Sequence, residues 1–386
     1  MRSNLCRMQT QEKHYDYAFI FQSLNLYGYS SGGDKVVFEL LKKLTLDHYK
    51  CAIILNDIDF DTSFRKNDNL MEMSINLFNK YIKKFPKFIQ LLLPKIYFMV
   101  KNEKHHYSFM KHIDLIPATK FINKSMHSKN LIATWFGTSF IASKLNSNNK
   151  YYLIQNNEDD PSFSGYLSKY AKESYNLDLK KIVINNSLYE KFKSDDPLKI
   201  KIGIDYNFWF YNSKKYNDVL LPFKILEYKG FKYALEAAIK IHEKNKNITI
   251  RAFGNVNKKY IPDFIDYYYN PSNNLLKSLY AASKIFVLPS IVEGFPLVNL
   301  EAMAAGCVVL STDFVGYDDY LINDYNAIIL KRKDSGAIAD SVLNTLNDEN
   351  KMLFLRENGY KTSSTYSYNE MYLSFKSAME NAHKNI

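Results

Sequence analysis

The chain has 386 residues, of which 46% are hydrophobic, so it can bury packed cores and is not a disordered protein. Its length predicts two domains. Its formal net charge of +11 favours an acidic partner, such as a nucleotide, an anionic membrane or nucleic acid, without choosing among them. Three scattered cysteines exclude a disulfide framework, and no segment has the roughly 18 uncharged apolar residues of a membrane span. Because the N-terminus also lacks the apolar core of a signal peptide, we expect a cytoplasmic protein.

Short apolar runs alternate with helical patterns along the chain. In the first half they predict strands over 17–23, 50–57, 130–136, 150–156 and 180–186, with a helix after the glycine turn at 30–35. The second half repeats the rhythm, with strands over 218–225, 248–254, 284–290, 307–312 and 327–331 and helices over 232–245 and 369–384. This alternation predicts two parallel α/β units. We expect an N-terminal domain over 1–205 and a C-terminal domain over 206–365, with the helix at 366–386 packing back on the first.

Two carboxylates in the stretch "SIVEGFPLVNLEAMAAGCVVLSTD" (290–313) call for an explanation. Glu293 follows a predicted strand, and Glu301 lies in an otherwise apolar helix that Pro296 suits at its first position. The start of this helix therefore faces the carboxyl end of a parallel strand, where α/β sheets bind ligands and free amides favour an anion. A carboxylate at Glu301 can accept hydrogen bonds from a diol such as a ribose. The alternative, two solvent-facing charges, is disfavoured because an unpaired Glu301 would be costly among apolar residues.

The segment "LYAASKIFVLPSIVEGFPLVNLEAMAAGCVVLST" (279–312) resembles the donor site of glycosyltransferase family 4. These are retaining enzymes of the GT-B fold, with two Rossmann-like parallel-sheet domains facing a central cleft. The clear similarity covers roughly residues 200–330. It implies that Glu293 contacts hydroxyls of the transferred sugar and that Glu301 holds the nucleotide ribose. It also implies a donor-contacting loop of four residues, namely Gly294, Phe295, Pro296 and Leu297.

A Lys-Gly pair in "LLPFKILEYKGFKYALEAA" (220–238) resembles the family's diphosphate clamp. Lys224 stands where the family has an Arg, and Lys229 stands before Gly230 at the family's Lys position. Cations there stabilise the charge that a diphosphate leaving group gains as the glycosidic bond breaks. Lys224 departs from the pattern because a lysine lacks bidentate geometry, and it remains open whether it is only a surface lysine.

Three further places carry weaker signals. Gly32 and Gly33 resemble the family's glycine loop, which lets the backbone approach phosphates, although a Gly-Gly before a helix can be only a turn. The family's catalytic-site His is missing from "YLIQNNEDDPSF", where Gln155, Asn157 and Glu158 are candidates for contacting the donor sugar or acceptor. A tyrosine of "IDYYYNPSNN" (265–274) could stack on the nucleobase or belong to the core. Asp205 is interpreted as a helix cap.

The segment 80–111 interleaves eight lysines and one glutamate with aromatic and aliphatic residues. This pattern suits an interfacial element on an anionic membrane, which would bring the enzyme to a lipid-linked acceptor. The alternative is an amphipathic helix pair that covers the first sheet. Because the segment contains no arginine, nucleic-acid binding is disfavoured.

The resemblance implies a hexosyl-type transferase that moves a sugar from a nucleoside diphosphate sugar to a hydroxyl acceptor with retention, in glycan, polysaccharide or glycolipid synthesis. Its partners would be the donor, a glycan or lipid-linked acceptor and an anionic membrane surface. We expect no cofactor and no essential metal, although Asp57-x-Asp59 matches the metal signature of the other large glycosyltransferase fold. Two alternatives remain: another GT-B enzyme such as a nucleotide-sugar epimerase, or a non-catalytic nucleotide-sugar-binding subunit.

Overall fold

The computed structural model describes residues 13–22, 32–56, 108–118, 126–212 and 214–384. The strands within these residues form two sheets. The first sheet contains β1 (Lys13–Phe21), β2 (Cys51–Leu55), β3 (Asp114–Pro117), β4 (Met126–Ala133), β5 (Ser147–Ile154), β6 (Lys180–Val183) and β7 (Leu198–Lys199). The second contains β8 (Asn217–Phe223), β9 (Ile250–Gly254), β10 (Ile265–Tyr269), β11 (Ser283–Leu288), β12 (Val308–Thr312) and β13 (Ala327–Leu330).

Helices connect most of these strands. Those of the first half are α1 (Gly32–Leu46), α2 (Phe136–Lys144), α3 (Pro161–Ser164), α4 (Ser168–Ser174), α5 (Asn186–Lys191) and α6 (Tyr206–Trp209). Those of the second half are α7 (Phe231–Lys244), α8 (Asn273–Ala282), α9 (Leu297–Ala304), α10 (Ser335–Leu346), α11 (Glu349–Ser364) and α12 (Tyr368–Lys384). None of the helices in the described ranges is long and apolar enough to cross a membrane.

The chain divides into two compact units. One comprises residues 1–154 and 169–182, and the other comprises residues 155–168 and 183–386. The predicted domain boundary between residues 205 and 206 lies within the second unit, at the start of α6. Asp205 caps that helix by accepting the Phe208 N–H at 3.0 Å, as the sequence predicted. The final helix contacts residues of its own unit, where the Lys201 N–H donates to the Ser374 hydroxyl at 2.9 Å. Lys201 is also part of the predicted N-terminal domain, and packing of this helix on the rest of that domain stays a prediction.

Both sheets have the strand order of a doubly wound fold. The first runs β3-β2-β1-β4-β5-β6-β7 and the second β10-β9-β8-β11-β12-β13, with the registered pairs parallel. In each, the order reverses beside the first strand of the sheet, and ligands bind at the carboxyl ends of the strands at such a point. The second sheet places that point between β8 and β11, so the loops after Phe223 and Leu288 form the expected binding edge.

The strands of the second sheet are apolar because helices cover the sheet. Its strands alternate with helices whose small residues, such as Ala234, Ala237 and Ala238 on α7, are completely buried against it. Strands that are covered by helices on both faces must be apolar along their length, and a helix of alanines can approach them closely. The β10 strand was not predicted. It stands at the sheet edge, and its Tyr269 is 63% exposed, so it lacks the continuous apolar run of a central strand.

Candidate functional site

A small charged cluster lies at the point where β8 and β11 end. The Nζ of Lys229 lies 2.8 Å from one carboxylate oxygen of Glu293, and the hydroxyl of Ser290 donates to the other at 2.7 Å. The Glu293 side chain is 9% exposed and that of Lys229 26%. The predicted sugar contact and the predicted diphosphate cation are therefore neighbours, although they are 64 residues apart in the chain.

Backbone contacts hold the two loops of this cluster together. The Ile291 N–H donates to the Tyr228 carbonyl at 2.7 Å. Gly230 has φ +72°, and a Cβ there would lie 2.0 Å from the Pro289 carbonyl oxygen. Only glycine combines this left-handed conformation with so close an approach of two chains. The Lys-Gly pair seen in the sequence is thus needed for Lys229 to reach Glu293.

Electrostatics in the cluster favour a charged lysine. Burial lowers the pKa of Lys229, but the attraction of the Glu293 carboxylate, helped by Tyr228, outweighs it, so the pKa is raised above its usual value. Burial also raises the pKa of Tyr228, against the opposing effect of Lys229. At neutral pH the cluster therefore contains a fixed cation, which is what a diphosphate requires.

The helix after Glu293 begins one residue later than predicted. Pro296, expected at its first helical position, is the residue before Leu297, with φ −74° and ψ 97°. A helix needs a residue of extended conformation before its first turn, and Pro296 takes that part. Its carbonyl accepts the Tyr320 hydroxyl at 2.9 Å, and Tyr320 also contacts the buried amide of Asn299 at 3.2 Å. These bonds hold the start of α9 beside the cluster. The helix ends at Ala304, and Gly306 follows its last turn with φ +78°.

Glu301 lies on α9 and is 3% exposed. It neighbours Tyr280 of α8, which is fully buried. Burial, and after it the negative charge of Glu301, raises the pKa of Tyr280 well above its usual value. An acidic side chain inside an apolar helix was the signal that singled out Glu301, and the structure shows that this side chain is buried rather than solvent-facing.

Gly294 packs against the backbone of the Gln155 segment. A Cβ at Gly294 would lie 2.0 Å from the Gln155 carbonyl oxygen and 3.2 Å from the Cα of Asn156. Gln155 therefore adjoins Glu293, as its prediction as a sugar or acceptor contact requires. Asn157 accepts a hydrogen bond from Lys191 at 2.5 Å, and Glu158 is 2% exposed. The hydrogen bond gives Asn157 a structural role, and burial does the same for Glu158.

The remaining predicted residues are placed as follows. Lys224 follows β8, with its Nζ 5.8 Å from the centre of the Phe253 ring. The Phe295 ring is half-buried, 4.9 Å from that of Tyr320 between ring centres. Gly32 and Gly33 are the first two residues of α1.

Two further predictions concern the nucleobase and a metal. Of the candidate tyrosines, Tyr267 donates its hydroxyl to the Val256 carbonyl at 2.9 Å, whereas Tyr269 is exposed. The described ranges contain no group of three or more metal-ligating residues. The Asp57-x-Asp59 motif lies outside the described residues.

Several site residues were not foreseen, namely Ser290, Asn185, Asn299 and Tyr320. Ser290 belongs to the Pro-Ser pair that follows β11, and the sequence shows this pair without indicating the bond of Ser290 to Glu293. Asn299 is a completely buried amide in an apolar helix, which is as unusual as Glu301 and could have been noticed for the same reason. Asn185 could have been recognised as a helix cap, since its acceptor bond to Leu188 is local, but nothing near it in the chain indicates its bond to Gly294. Tyr320 carries no local signal, because its partners Pro296 and Asn299 are more than 20 residues away.

Comparison with known proteins addresses the region that builds this site. Residues 207–362, which include the charged cluster and α9, match the family model for glycosyl transferases group 1. This stretch is therefore similar to the group 1 glycosyltransferase domain.

Relatives of the group 1 domain include the capsular polysaccharide biosynthesis glycosyltransferase CapM of Staphylococcus aureus. It is 27% identical over 186 residues, which are 46% of this chain and 44% of that protein. The N,N'-diacetylbacillosaminyl-diphospho-undecaprenol alpha-1,3-N-acetylgalactosaminyltransferase of Campylobacter jejuni is 27% identical over 200 residues. The match covers 50% of this chain and 53% of that protein. The chain thus spans about half the length of the curated relatives it matches.

Solved structures extend the likeness to both sheets. The sucrose-phosphate synthase of Thermosynechococcus elongatus superposes with a TM-score of 0.67 at 12% identity, covering 97% of this chain and all of that one. HepE of Anabaena, solved in complex with UDP and glucose, superposes with a TM-score of 0.68 at 12% identity, covering 95% and 100%. At this identity the likeness concerns the fold alone, and it confirms the predicted GT-B fold.

Proposed function

We propose that this protein is a retaining glycosyltransferase that moves a sugar from a nucleoside diphosphate sugar to a hydroxyl acceptor in glycan, polysaccharide or glycolipid synthesis. The observation that carries the proposal is the contact of Lys229 with Glu293 at 2.8 Å, where the loops after β8 and β11 meet in the group 1 domain. A cation and a hydrogen-bond acceptor, side by side at the binding edge of a doubly wound sheet, suit a diphosphate joined to a sugar.

In this proposal each predicted residue has a separate task. Lys229, with Lys224, neutralises the diphosphate, and Glu293 accepts hydrogen bonds from the sugar hydroxyls. The backbone amides of Phe295 and Leu297, at the start of α9, meet the sugar and the diphosphate, since the free amides of a helix start favour an anion. Buried Glu301 accepts the ribose hydroxyls of the nucleotide. Gly32 and Gly33, at the start of α1, and the segment 155–158 are the candidates for contacting the sugar and the acceptor.

The chemistry follows from the charges. The bond between the anomeric carbon and the diphosphate breaks with both electrons going to the leaving oxygen, and the acceptor oxygen forms the new bond on the same face of the sugar. The acceptor's proton passes to the leaving phosphate. Lys229 stabilises the charge that develops on the leaving group, and such electrostatic stabilisation is usually the largest contribution to catalysis. Glu293 is engaged by Lys229 and Ser290, so it orients the sugar rather than attacking it, and the reaction proposed here calls for no cofactor and no metal.

Relatives support the proposed substrates. One structural neighbour is solved with UDP and glucose, and another complex of the same protein contains UDP-glucose. The Campylobacter relative acts on a sugar linked to diphospho-undecaprenol, which is a lipid carrier. We therefore propose a uridine nucleotide as the first donor to test and a glycan or lipid-linked hydroxyl as the acceptor.

Membrane docking would complement a lipid-linked acceptor. The lysine-rich segment 80–111 lies mostly outside the described residues, so this part of the proposal depends on its composition of eight lysines and one glutamate. Each lysine near an anionic surface contributes about 1 kcal/mol of binding. We expect binding to phosphatidylserine vesicles that weakens with salt, and loss of that binding when Lys80, Lys83, Lys84 and Lys87 are changed to Glu. Failure of the unchanged protein to bind such vesicles at low salt would contradict docking.

The donor is tested by thermal unfolding with UDP, GDP and ADP and with their glucose conjugates. A ligand that binds only the folded state raises the melting temperature, by an amount equivalent to about 2.7 kcal/mol at a hundred times its Kd. A nucleotide that does so is then supplied as its sugar conjugate, and release of the nucleoside diphosphate is followed with time. Proton NMR of the product sugar reports retention at the anomeric carbon. The proposal is wrong if none of these nucleotides stabilises the protein.

A further inference from the structure

We infer that Asn185 is a positioning residue of the donor site, which aims the Phe295 N–H by holding the carbonyl of Gly294. This inference rests on the proposed function, in which that N–H meets the donor. Asn185 is 2% exposed, so it does not itself reach a ligand. Its Nδ2 donates to the Gly294 carbonyl oxygen at 2.8 Å across 109 residues of chain.

The amide of Asn185 has a determined orientation because both of its ends are engaged. Asn185 is the residue before the first turn of α5, and its Oδ1 accepts the Leu188 N–H at 2.7 Å. An amide oxygen cannot donate, so the NH₂ group must face Gly294. The helix α5 therefore anchors the Asn185 NH₂ group, which holds the loop of Glu293 and Phe295.

The Gly294 carbonyl determines the direction of the next N–H. A peptide group is planar and trans, so the carbonyl of Gly294 and the N–H of Phe295 point in opposite directions. The bond to Asn185 fixes the direction of the carbonyl, so the N–H of Phe295 points away from Asn185. Within the described residues, no backbone carbonyl accepts the Phe295 N–H. The group is thus available to a ligand in the orientation that Asn185 imposes.

The other side of Gly294 prevents the peptide from relaxing freely. A Cβ on Gly294 would be 2.0 Å from the Gln155 carbonyl oxygen, so the loop lies directly on the 155–156 backbone. The peptide is held between this backbone and the Asn185 amide. Loss of the Asn185 hydrogen bond removes one of the two constraints, and the peptide can then rotate about the other.

Two substitutions separate this role from helix capping. Asp and Ser both cap helices about as well as Asn, so Asn185→Asp and Asn185→Ser keep the acceptor for the Leu188 N–H. Neither donates to Gly294 as Asn does, because Ser is shorter and the Asp carboxylate presents an acceptor to the Gly294 carbonyl. Asp348→Ala is the matched control, since Asp348 caps α11 in the same unit by accepting the Lys351 N–H at 2.9 Å.

One assay measures the consumption of UDP-glucose, and a second measures the affinity for UMP. We expect kcat to fall roughly 10- to 100-fold in Asn185→Asp and less in Asn185→Ser. The loss should be smaller than for removal of a hydrogen-bond donor, because the Phe295 N–H is misdirected and not deleted. The KM for UDP-glucose and the affinity for UMP should change little, because Lys229 and Glu301 remain. The control should lower the melting temperature without changing kcat. Unchanged kcat in both Asn185 variants of an active enzyme would overturn the inference.

A crystal structure of Asn185→Asp decides the question independently of activity. We expect the Gly294–Phe295 peptide to be rotated, with the carbonyl turned from residue 185. An unchanged peptide would overturn the inference even if turnover fell. If the unchanged protein neither bound UDP nor consumed UDP-glucose, the proposed donor would be wrong, and this structure would still show whether Asn185 positions the loop.

Discussion

Removal of the Lys229 ammonium group by Lys229→Met should destabilise the protein far more than loss of an ordinary surface lysine. At 2.8 Å the attraction to Glu293 is about 6 kcal/mol for an effective dielectric constant of about 20, and desolvation of the two groups offsets much of it. After the substitution, a carboxylate that is 9% exposed keeps the Ser290 hydroxyl but loses its cation. Breaking a buried pair in this way costs about 3–5 kcal/mol, and because Lys229 is 26% exposed we expect about 2–4 kcal/mol.

The assay is thermal and denaturant unfolding without ligand at pH 7.5. The pKa of Lys229 is raised, so the stability from the pair is fully present below the usual lysine pKa of about 10.4 and is lost only as pH rises through the folded value. For a unit of this size, about 2–4 kcal/mol lowers the melting temperature by roughly 5–15 °C. Turnover of the donor should fall about a hundredfold or more, because a cation that stabilises the leaving group is gone.

The pair Lys244–Asp340 provides the matched control. Its charged atoms lie 2.6 Å apart, but its side chains are 57% and 60% exposed. Such a pair contributes about 0.2–1 kcal/mol, so Lys244→Met should change the melting temperature by only a few degrees. Double-mutant cycles with Glu293→Gln and Asp340→Asn would give the two coupling energies directly. Equal coupling energies for the two pairs would refute the argument that burial gives the Lys229–Glu293 pair its strength.

Three other predictions test single features of the second unit. Gly294→Ala should destabilise this unit by about 1–3 kcal/mol, because the new methyl group would lie 2.0 Å from a backbone oxygen. Gly336→Ala on α10 should instead stabilise it by about 0.5–1 kcal/mol, because the nearest atom to the new methyl group is 3.4 Å away. Urea unfolding measures both changes. Burial raises the pKa of Asp319 against the opposing effects of the Asn186 N–H and Lys199, so its ionised form opposes folding, and stability from this group increases as pH falls through the folded pKa. Asp319→Asn should therefore raise the melting temperature at pH 7 and do so less near pH 4; a constant difference across that range would show that ionisation is not the cause. Glu301→Ala should weaken UDP binding by about 1–3 kcal/mol by calorimetry while leaving inorganic pyrophosphate binding unchanged, and equal losses for both ligands would point to a general fold defect.

Local patterns in the sequence were sufficient for the strand-helix rhythm and for the chemistry-bearing motifs. Buried strands of a parallel sheet are short apolar runs, so β1, β2, β8, β11 and β12 were visible within a few residues of their ends. Glu301 was visible because a carboxylate in an apolar helix is rare, and Lys229 because Gly230 follows it. The GT-B fold, first inferred from resemblance, is confirmed by the structural neighbours. Elements with weak patterns were missed, such as β3, which has four residues and ends in Pro117.

Only the tertiary structure decided which of these residues meet. The pairing of Lys229 with Glu293 spans 64 residues, and that of Asn185 with Gly294 spans 109. The contact of Gly294 with the Gln155 backbone joins segments still further apart. A local pattern specifies the conformation of its own segment, because propensities, caps and burial periodicity act over a few residues. Contacts between distant loops depend instead on strand order and on the close approach of backbones at glycines, and these are settled only when the whole sheet packs.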